Sequence, residues 1–220
     1  MAEILRIDPP TAARAIAEAI RVIQAGGVII YPTETLYGLG ANPNDPAAME
    51  RLYAIKGREA ARPIPFLIKD REMLAALVEE VPPAAVKLME RYWPGPLTLI
   101  FRAGEGLPLA MRGTANTIGL RISAHPVAQR ICAQLNGPLT ATSANRSGEE
   151  DLVDAERIAG VLGDLVDLII DSGTVPGIGS TVVDVTIAPP RIVRQGIMSI
   201  EFVRKGASNG KIVQDRGVTR

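Results

Sequence analysis

The sequence predicts an α/β domain, in which short apolar strands alternate with amphipathic helices. Runs rich in Val, Ile and Leu, such as residues 28–31 and 167–171, have the length and composition of buried strands. Residues 11–25 instead place apolar side chains at helical spacing, and two glycines follow as a helix stop. The 220 residues can form one sizeable core, and no shift in composition marks a linker between two domains.

The same two periodicities assign the remaining segments in chain order. Proline and small polar residues mark most of the boundaries, and Asp70 is expected to cap a helix through its side chain. Further helices are predicted at 46–55, 70–78, 83–92, 126–135 and 154–162. Further strands are predicted at 63–68, 97–100, 116–123, 138–142, 182–186 and 191–195. The residues from 206 to 220 lack periodicity and are expected to form a flexible tail.

Composition excludes several classes of protein. The formal net charge is +0, so the protein lacks the overall positive charge that is typical of nucleic-acid-binding proteins. Any contact with RNA must therefore be local and weak. The one cysteine, Cys132, sits on an apolar helix face and is expected to be a core thiol. The one histidine, His125, excludes a His-based metal cluster or a relay of several histidines. No apolar run approaches the roughly 18 residues of a membrane span, so we expect no membrane association and a cytoplasmic location.

Two stretches near the N-terminus suggest a site for a small anionic ligand. The loop after strand 28–31 carries Thr33, Glu34 and Thr35, and such a loop can wrap a polar ligand. Further along, Lys56, Arg58 and Arg62 place three cations within seven residues beside a turn. Fixed cations at a turn are typical of phosphate binding.

Later segments carry a second set of candidates. Arg121 lies in a predicted strand between Leu120 and Ile122, so it points either to solvent or into a cleft. The small polar loop 143–148 follows a strand, where open α/β sheets bind ligands. Neither a P-loop nor a G-x-G-x-x-G motif occurs in the sequence. If the protein binds ATP, its phosphates must therefore be bound by side chains from separate parts of the chain. Trp93, beside Pro-Gly-Pro, is interpreted as a plug over the core.

Five blocks, in order, resemble the YrdC/Sua5 family, the threonylcarbamoyl-AMP synthases of tRNA modification. They are PTETLYGLG (32–40), KGR (56–58) with Arg62-Pro63, WPGPLTL (93–99), SANRSG (143–148), and GSTVVD (179–184) ahead of RQG (194–196). The resemblance covers roughly residues 20–200. It implies a three-layer α/β fold with a twisted mixed sheet, helices on both faces and a deep concave cleft. The YrdC-like catalytic domain would then occupy residues 1–205.

The resemblance also implies a reaction and its residues. L-Threonine, bicarbonate and ATP with Mg²⁺ would give threonylcarbamoyl-AMP and pyrophosphate, which makes the protein a nucleotidyltransferase. The product would pass to downstream tRNA-modifying threonylcarbamoyl transferase proteins for N6-threonylcarbamoyladenosine at tRNA position 37. The residues implied for threonine are Thr35, Arg121, Ala141 and Ser180. Those implied for the nucleotide are Arg58, Arg62, Thr117, Ser143, Asn145 and Arg194, with Lys56 and Arg58 as the catalytic pair.

The sequence departs from the family pattern at two positions. The family's R-I-P-x-H-P appears as RISAHP (121–126), and its R-P-G appears as RQG; each loses a proline but keeps the cation.

Three alternative functions remain open. They are an RNA-binding module of the same fold, a related carbamoyl-adenylate enzyme with another acceptor, and a paralogue of unassigned activity. Such paralogues tend to lack the complete Lys-x-Arg and Ser-x-Asn set present here.

Overall fold

The computed structural model describes residues 1–8, 11–57, 64–113, 115–199 and 213–214. In these residues the chain forms six α-helices and twelve strands. The helices are α1 (Ala12–Gln24), α2 (Pro46–Lys56), α3 (Arg71–Leu77), α4 (Pro83–Tyr92), α5 (Pro126–Leu135) and α6 (Ala155–Leu162). The strands are β1 (Glu3–Arg6), β2 (Ile29–Pro32), β3 (Tyr37–Gly40), β4 (Phe66–Leu67), β5 (Leu97–Arg102), β6 (Thr117–Arg121), β7 (Leu139–Thr140), β8 (Thr142–Ser143), β9 (Leu168–Asp171), β10 (Thr181–Asp184), β11 (Arg191–Arg194) and β12 (Val213–Gln214).

The strands form two mixed sheets. The five-stranded sheet has the order β1-β9-β2-β3-β8, and the seven-stranded sheet has the order β12-β11-β10-β5-β6-β4-β7. The predicted mixed α/β class is therefore confirmed, with its β-structure divided between two sheets. Parallel pairs such as β1-β9 and β5-β10 occur beside antiparallel pairs such as β2-β3 and β5-β6.

The chain crosses from one sheet to the other at Ala141. β7 pairs with β4 in the seven-stranded sheet, and β8 pairs with β3 in the five-stranded sheet. A single strand over 138–142 was therefore wrong in detail, because the two ends of that segment find different partners. Thr140, in β7, bonds this segment to the end of β3 and the residue after it. Its hydroxyl accepts from Ala41 N at 2.8 Å and donates to Leu39 O at 2.9 Å.

The five-stranded sheet is covered by helices on both faces. Ile29 and Tyr31 pack with α1 and α5 in one buried cluster, whereas Ile30 packs with α2 and α6 in another. This division follows the two-residue alternation of a strand. A third cluster joins α3 and α4 to the seven-stranded sheet. Burying each such large apolar side chain contributes about 1.5–3 kcal/mol, so these three clusters supply the main stabilisation of the fold.

Several local predictions are confirmed. The Asp70 side chain accepts from Met73 N at 2.7 Å at the start of α3. Trp93 is buried in the core and donates from Nε1 to Leu97 O at 2.6 Å.

Cys132 is buried on α5, and burial raises its pKa to about 12, which leaves the thiol protonated and unreactive near neutral pH. His125 is the N-cap of α5, where its Nδ1 accepts from Val127 N at 3.3 Å.

Other segments differ from the sequence predictions or lie outside the described residues. The sequence predicts neither β1 nor β3; it places the two glycines of β3 in a ligand-binding loop, whereas the structure pairs them with β2. The expected tail, 206–220, lies outside the described residues except for β12, which pairs in parallel with β11. In the described part of the chain, every helix is too short or too polar to cross a membrane.

Candidate active site

A cavity of about 400 Å³ opens between the two sheets beside Ala141. The five-stranded sheet contributes residues of β2, β3 and β8, and the seven-stranded sheet contributes residues of β4, β5, β6 and β11. Two segments that diverge into separate sheets leave a crevice between them, which is where open α/β folds bind ligands. The crossover at Ala141 therefore positions the site.

Arg121 supplies a buried cation at one wall of the cavity. The residue is 6 % exposed and ends β6, while Leu120 and Ile122 are buried in the core cluster on the opposite face. Of the two orientations that the sequence allowed, the one into the cleft is thus the observed one. Its Nη1 donates to Thr35 Oγ1 at 3.1 Å. A guanidinium held in this way can bind a carboxylate with two parallel hydrogen bonds.

The loop between β2 and β3 holds the Thr35 hydroxyl at the cavity wall. Thr33 Oγ1 donates to Leu36 O at 2.6 Å and accepts from the backbone N–H groups of Thr35 and Leu36 at 3.2 Å. The Thr33 and Thr35 hydroxyl oxygens lie 2.9 Å apart. Thr35 Oγ1 accepts from Arg121 Nη1 and lines the cavity. The Thr35 hydroxyl can therefore form a hydrogen bond with a polar group of a ligand.

Lys56, which also lines the cavity, binds β8 and the loop that follows it. Its Nζ donates to Ser143 O at 2.9 Å, to Asn145 O at 2.6 Å and to Asn145 Oδ1 at 2.8 Å. Ser143 Oγ donates to the same Oδ1 at 2.7 Å. Asp45 caps the N-terminus of α2, and Gly57 ends the helix in the left-handed conformation, so Lys56 lies in the last turn. The contacts explain why the Lys-x-Arg and Ser-x-Asn motifs occur together: the lysine of the first binds the second.

Arg194 brings a third cation to the mouth of the cavity. Its Nη2 donates to Ser180 O at 3.0 Å, and Ser180 Oγ lies 2.8 Å from Thr98 Oγ1. The close approach of β11 to the 179–180 segment requires glycine at 196. A Cβ atom there would lie 2.2 Å from Gly179 O and 2.3 Å from Ser180 C. The glycine of RQG therefore serves close backbone packing.

Most of the predicted site residues that the structure describes converge on this cavity. Those that line it are Thr35, Lys56, Arg121, Ala141, Ser143, Asn145, Ser180 and Arg194. Thr117 does not line the cavity, because it begins β6 and Arg121 ends it, about 13 Å away along an extended strand. Arg58 and Arg62 lie outside the described residues, so their assignment to phosphate stays a prediction.

The cavity also contains side chains that the sequence did not single out. Thr98 lies between Leu97 and Leu99, both fully buried, so the alternation that indicated Arg121 would have indicated Thr98 as well. Asp151 accepts from Asn145 Nδ2 at 3.2 Å and is the carboxylate among the described lining residues. Tyr31 lines the floor, where burial raises its pKa well above the usual value and its hydroxyl donates to Thr140 O. Only the strand alternation offered a signal for any of them.

The fold and the cavity define an α/β protein with a cationic cleft between two sheets, suited to a small ligand that carries carboxylate or phosphate groups. The family model Sua5/YciO/YrdC, described as "Telomere recombination", matches residues 21–196. The chain belongs to this family.

The chain is similar to several named relatives. It is 38% identical to a threonylcarbamoyl-AMP synthase of Pyrococcus abyssi over 184 residues, which is 83% of this chain and 54% of the relative. It is 36% identical to a putative threonylcarbamoyl-AMP synthase of Mycobacterium tuberculosis, over 89% of this chain and 90% of the relative. The chain thus spans about half of the archaeal relative and nearly all of the mycobacterial one.

Solved structures show the same fold. P. abyssi Sua5 complexed with L-threonine superposes with a TM-score of 0.90 at 34% identity, covering 98% of this chain and 62% of that one. E. coli YciO superposes with a TM-score of 0.84 at 32% identity, covering 91% of this chain and 98% of that one.

Proposed function

We propose that the protein is an L-threonylcarbamoyladenylate synthase, which joins L-threonine, bicarbonate and ATP to give threonylcarbamoyl-AMP and pyrophosphate. The observation that carries the proposal is the cavity that brings Arg121 and Thr35 together with Lys56, Ser143 and Arg194. One group of residues suits an amino acid, and the other suits a nucleotide. The names of the relatives and the threonine complex of P. abyssi Sua5 support the same substrate.

The amino-acid half of the proposed site follows from its charge and its hydroxyl groups. Arg121 would bind the threonine carboxylate, and the Thr35 hydroxyl beside it would form a hydrogen bond with the amine or the hydroxyl of threonine. Ala141 presents a small side chain at the crossover, and Ser180 adds a hydroxyl from the segment directly before β10. The pocket therefore combines one fixed cation with short polar groups, as a small hydroxy amino acid requires.

The reaction needs stabilised negative charge rather than a covalent nucleophile. Bicarbonate loses hydroxide to give carbon dioxide, and the threonine amine attacks its carbon and releases a proton, which the hydroxide takes up to form water. The resulting carbamate oxygen then attacks the α-phosphorus, and the bond from that phosphorus to pyrophosphate breaks. Lys56 and Arg194 would stabilise the phosphate charge, together with the hydroxyl of Ser143. Arg58 and Arg62 belong to the same proposal through the family pattern, and Thr117 is its weakest member because it lies away from the cavity.

Mg²⁺ would enter with ATP. The described residues contain no group of three or more acidic, His or Cys side chains arranged to hold a metal. Mg²⁺ in nucleotide sites is commonly bound by one or two carboxylates plus phosphates and waters, and Asp151 offers one carboxylate at the cavity. The donor set thus fits an ion that the nucleotide brings, whose charge would offset that of the phosphates.

The product would serve N6-threonylcarbamoyladenosine formation at tRNA position 37. The adenylate must reach a transferase that acts on tRNA, so the proposal includes such downstream proteins as partners and the cytoplasm as the location. A direct RNA contact would be weak, since the formal net charge is +0. A filter-binding titration with salt separates this reading from an RNA-binding module.

The proposal is tested by pyrophosphate release. The protein is incubated with ATP, Mg²⁺, bicarbonate and each amino acid in turn, and release is expected to depend on threonine and on bicarbonate together. Release with another amino acid in place of threonine would identify a related carbamoyl-adenylate enzyme. No release with any amino acid would contradict the proposal.

A further inference from the structure

A carboxylate that is not among the lining residues of the cavity lies beside Arg121. Glu34 Oε2 is 3.5 Å from Arg121 Nη2, and the two side chains are 18 % and 7 % exposed. This separation exceeds the 2.7–3.2 Å range of an N–H···O hydrogen bond, although the charges are opposite. Glu34 Oε1 and Arg121 Nε are also buried, and neither has a hydrogen-bond partner in the described part of the chain.

Ser123 holds this carboxylate in place. Its hydroxyl makes a short hydrogen bond to Glu34 Oε2, the oxygen that faces Arg121. Ser123 Oγ accepts from His125 N at 3.2 Å, so its own hydrogen is available to the carboxylate. Ser123 is 2 % exposed and lies between the end of β6 and the N-cap of α5, which anchors it on both sides.

Glu34 and a ligand carboxylate require the same guanidinium. Arg121 uses Nη1 for Thr35, and its Nε is buried, so Nη2 is the remaining nitrogen for another acceptor. A charge-assisted pair closes to about 2.7–2.9 Å when nothing restrains it. If Glu34 closed onto Arg121, it would occupy Nη2 and neutralise the charge that a substrate carboxylate needs.

We propose that Ser123 is a positioning residue that keeps Glu34 out of hydrogen-bond range of Arg121. The guanidinium then stays available for the carboxylate of the amino-acid substrate. This inference rests on the proposed function only in taking an amino-acid carboxylate as the ligand of Arg121. It assigns to Ser123 an effect on amino-acid binding that acts entirely through the charge of Glu34.

The experiment is a double-mutant cycle with Ser123→Ala and Glu34→Gln. Calorimetric titration measures the dissociation constant for L-threonine, and steady-state pyrophosphate release measures kcat and the KM values for threonine and ATP. Ser123→Ala is expected to weaken threonine binding about tenfold or more, since a charge-assisted contact is lost. The KM for ATP and the kcat at saturating threonine are expected to stay within about twofold.

The double variant carries the decisive result. Ser123→Ala/Glu34→Gln is expected to bind threonine within about threefold of the unmodified protein, because the competing charge is gone. A merely structural role of Ser123 would leave the double variant as weak as Ser123→Ala. Glu34→Gln alone is also expected to bind threonine within about threefold, and it tests the inference even if Ser123→Ala does not fold.

The chain offers a matched control in Thr186. Its hydroxyl donates to Asp184 Oδ1 at 2.6 Å, and Asp184 Oδ2 lies 3.5 Å from Arg191 Nη2, away from the cavity. Thr186→Val removes the same kind of bond and is expected to leave threonine binding unchanged. Unchanged binding in Ser123→Ala, no recovery in the double variant, or a tenfold loss in Glu34→Gln would each overturn the inference. An unmodified protein that neither binds threonine nor releases pyrophosphate with it would instead contradict the proposed function.

Discussion

Lys56 combines a buried charge with contacts to a neighbouring loop. It is 3 % exposed, and its ammonium donates to three oxygens of Ser143 and Asn145. Hydrogen bonds to charged groups contribute about 1.5–3 kcal/mol, so the lysine both shapes the loop and supports the cation field of the cavity. A change at this position is therefore expected to affect stability as well as activity.

Lys56→Ala is expected to lower the free energy of unfolding by roughly 1.5–3 kcal/mol and to reduce pyrophosphate release more than tenfold. The physical reason is that three oxygens of Ser143 and Asn145 lose the buried ammonium as a donor, and the proposed phosphate site loses a charge. Urea unfolding and the pyrophosphate assay measure the two effects. Lys69→Ala is the control, because Lys69 Nζ donates to Asn136 Oδ1 at 2.8 Å on the surface. Equal losses in the two variants would contradict this role of Lys56.

Arg194 allows a test of the nucleotide half of the site. Arg194→Ala is expected to weaken ATP binding about tenfold or more and threonine binding less, because the guanidinium stands at the mouth of the cavity. Arg191→Ala is the control on the same strand, since Arg191 pairs with Asp184 and does not line the cavity. Calorimetric titration of ATP and of threonine compares the variants. Unchanged ATP affinity in Arg194→Ala would remove Arg194 from the nucleotide site.

At the scale of elements, the site depends on how closely β11 approaches the segment before β10. Gly196→Ala is expected to displace the end of β11 and with it Arg194, because the added Cβ would lie 2.2–2.4 Å from three backbone atoms of residues 179 and 180. We expect weaker ATP binding and a loss of about 1–3 kcal/mol in stability. Titration calorimetry and thermal unfolding measure both.

Gly160 provides the matched glycine. It lies in α6, and a Cβ atom there would meet nothing within 4 Å. Gly160→Ala is expected to stabilise the protein by about 0.5–1 kcal/mol through helix propensity and to leave ATP binding unchanged. If Gly196→Ala had the same stability and ATP affinity as Gly160→Ala, the backbone around residues 179 and 180 would accommodate the added Cβ atom without a loss of stability, which would contradict this prediction.

The N-cap hydrogen bond of α5 requires His125 to be neutral, because its Nδ1 must accept from Val127 N. Burial lowers the pKa of His125 from its ordinary 6.5, opposed by the nearby charge of Glu34. In the window between the lowered pKa and 6.5, the unfolded chain binds more protons, so stability rises with pH. We expect the free energy of unfolding to fall as the pH is lowered from about 7 to 5.5.

His125→Asn isolates this effect, because asparagine keeps an N-cap acceptor and does not titrate. The variant is expected to lose the pH dependence in this window, where the carboxylates remain ionised. Urea unfolding at several pH values compares the two proteins. The same slope in both would assign the pH dependence to other groups.

At the scale of the whole molecule, the proposed amino-acid pocket is assembled from segments of both sheets. Thr35 comes from the loop between β2 and β3 of the five-stranded sheet, whereas Arg121 ends β6 of the seven-stranded sheet and Ser180 directly precedes β10 of that sheet. We therefore expect substrate selectivity to depend on how the two sheets are held together at Ala141, and so on the assembled fold rather than on one motif.

Substrate selectivity is expected to follow the order threonine, serine, valine. Serine lacks one methyl group and should be used about 10–200-fold less well in kcat/KM. Valine keeps the bulk but lacks the hydroxyl, so a site that hydrogen-bonds that hydroxyl should reject it by about 10⁴ or more. Pyrophosphate release at matched concentrations measures the order. Valine turning over better than serine would mean that the hydroxyl is not recognised.

The sequence by itself determined the helices, most strands and several of their ends. Asp70 and Asp154 cap helices through local side-chain bonds, and these depend on neighbours three residues away. Alternation also indicated that Arg121 lies opposite Leu120 and Ile122. The motif blocks indicated the chemistry of the cavity, since cations and small hydroxyls suit anionic substrates whatever the detailed geometry.

Only the tertiary structure decided which sheet each strand joins and which side chains meet. Thr140 pairs with Phe66, and Ser143 pairs with Gly38, so one run of residues divides between two sheets. Lys56 reaches Asn145, and Ser123 reaches Glu34, across 89 residues of sequence in each case. Local periodicity reports which face of an element a residue occupies. The partner across a cleft depends on long-range strand pairing, which is set by the packing of the whole chain.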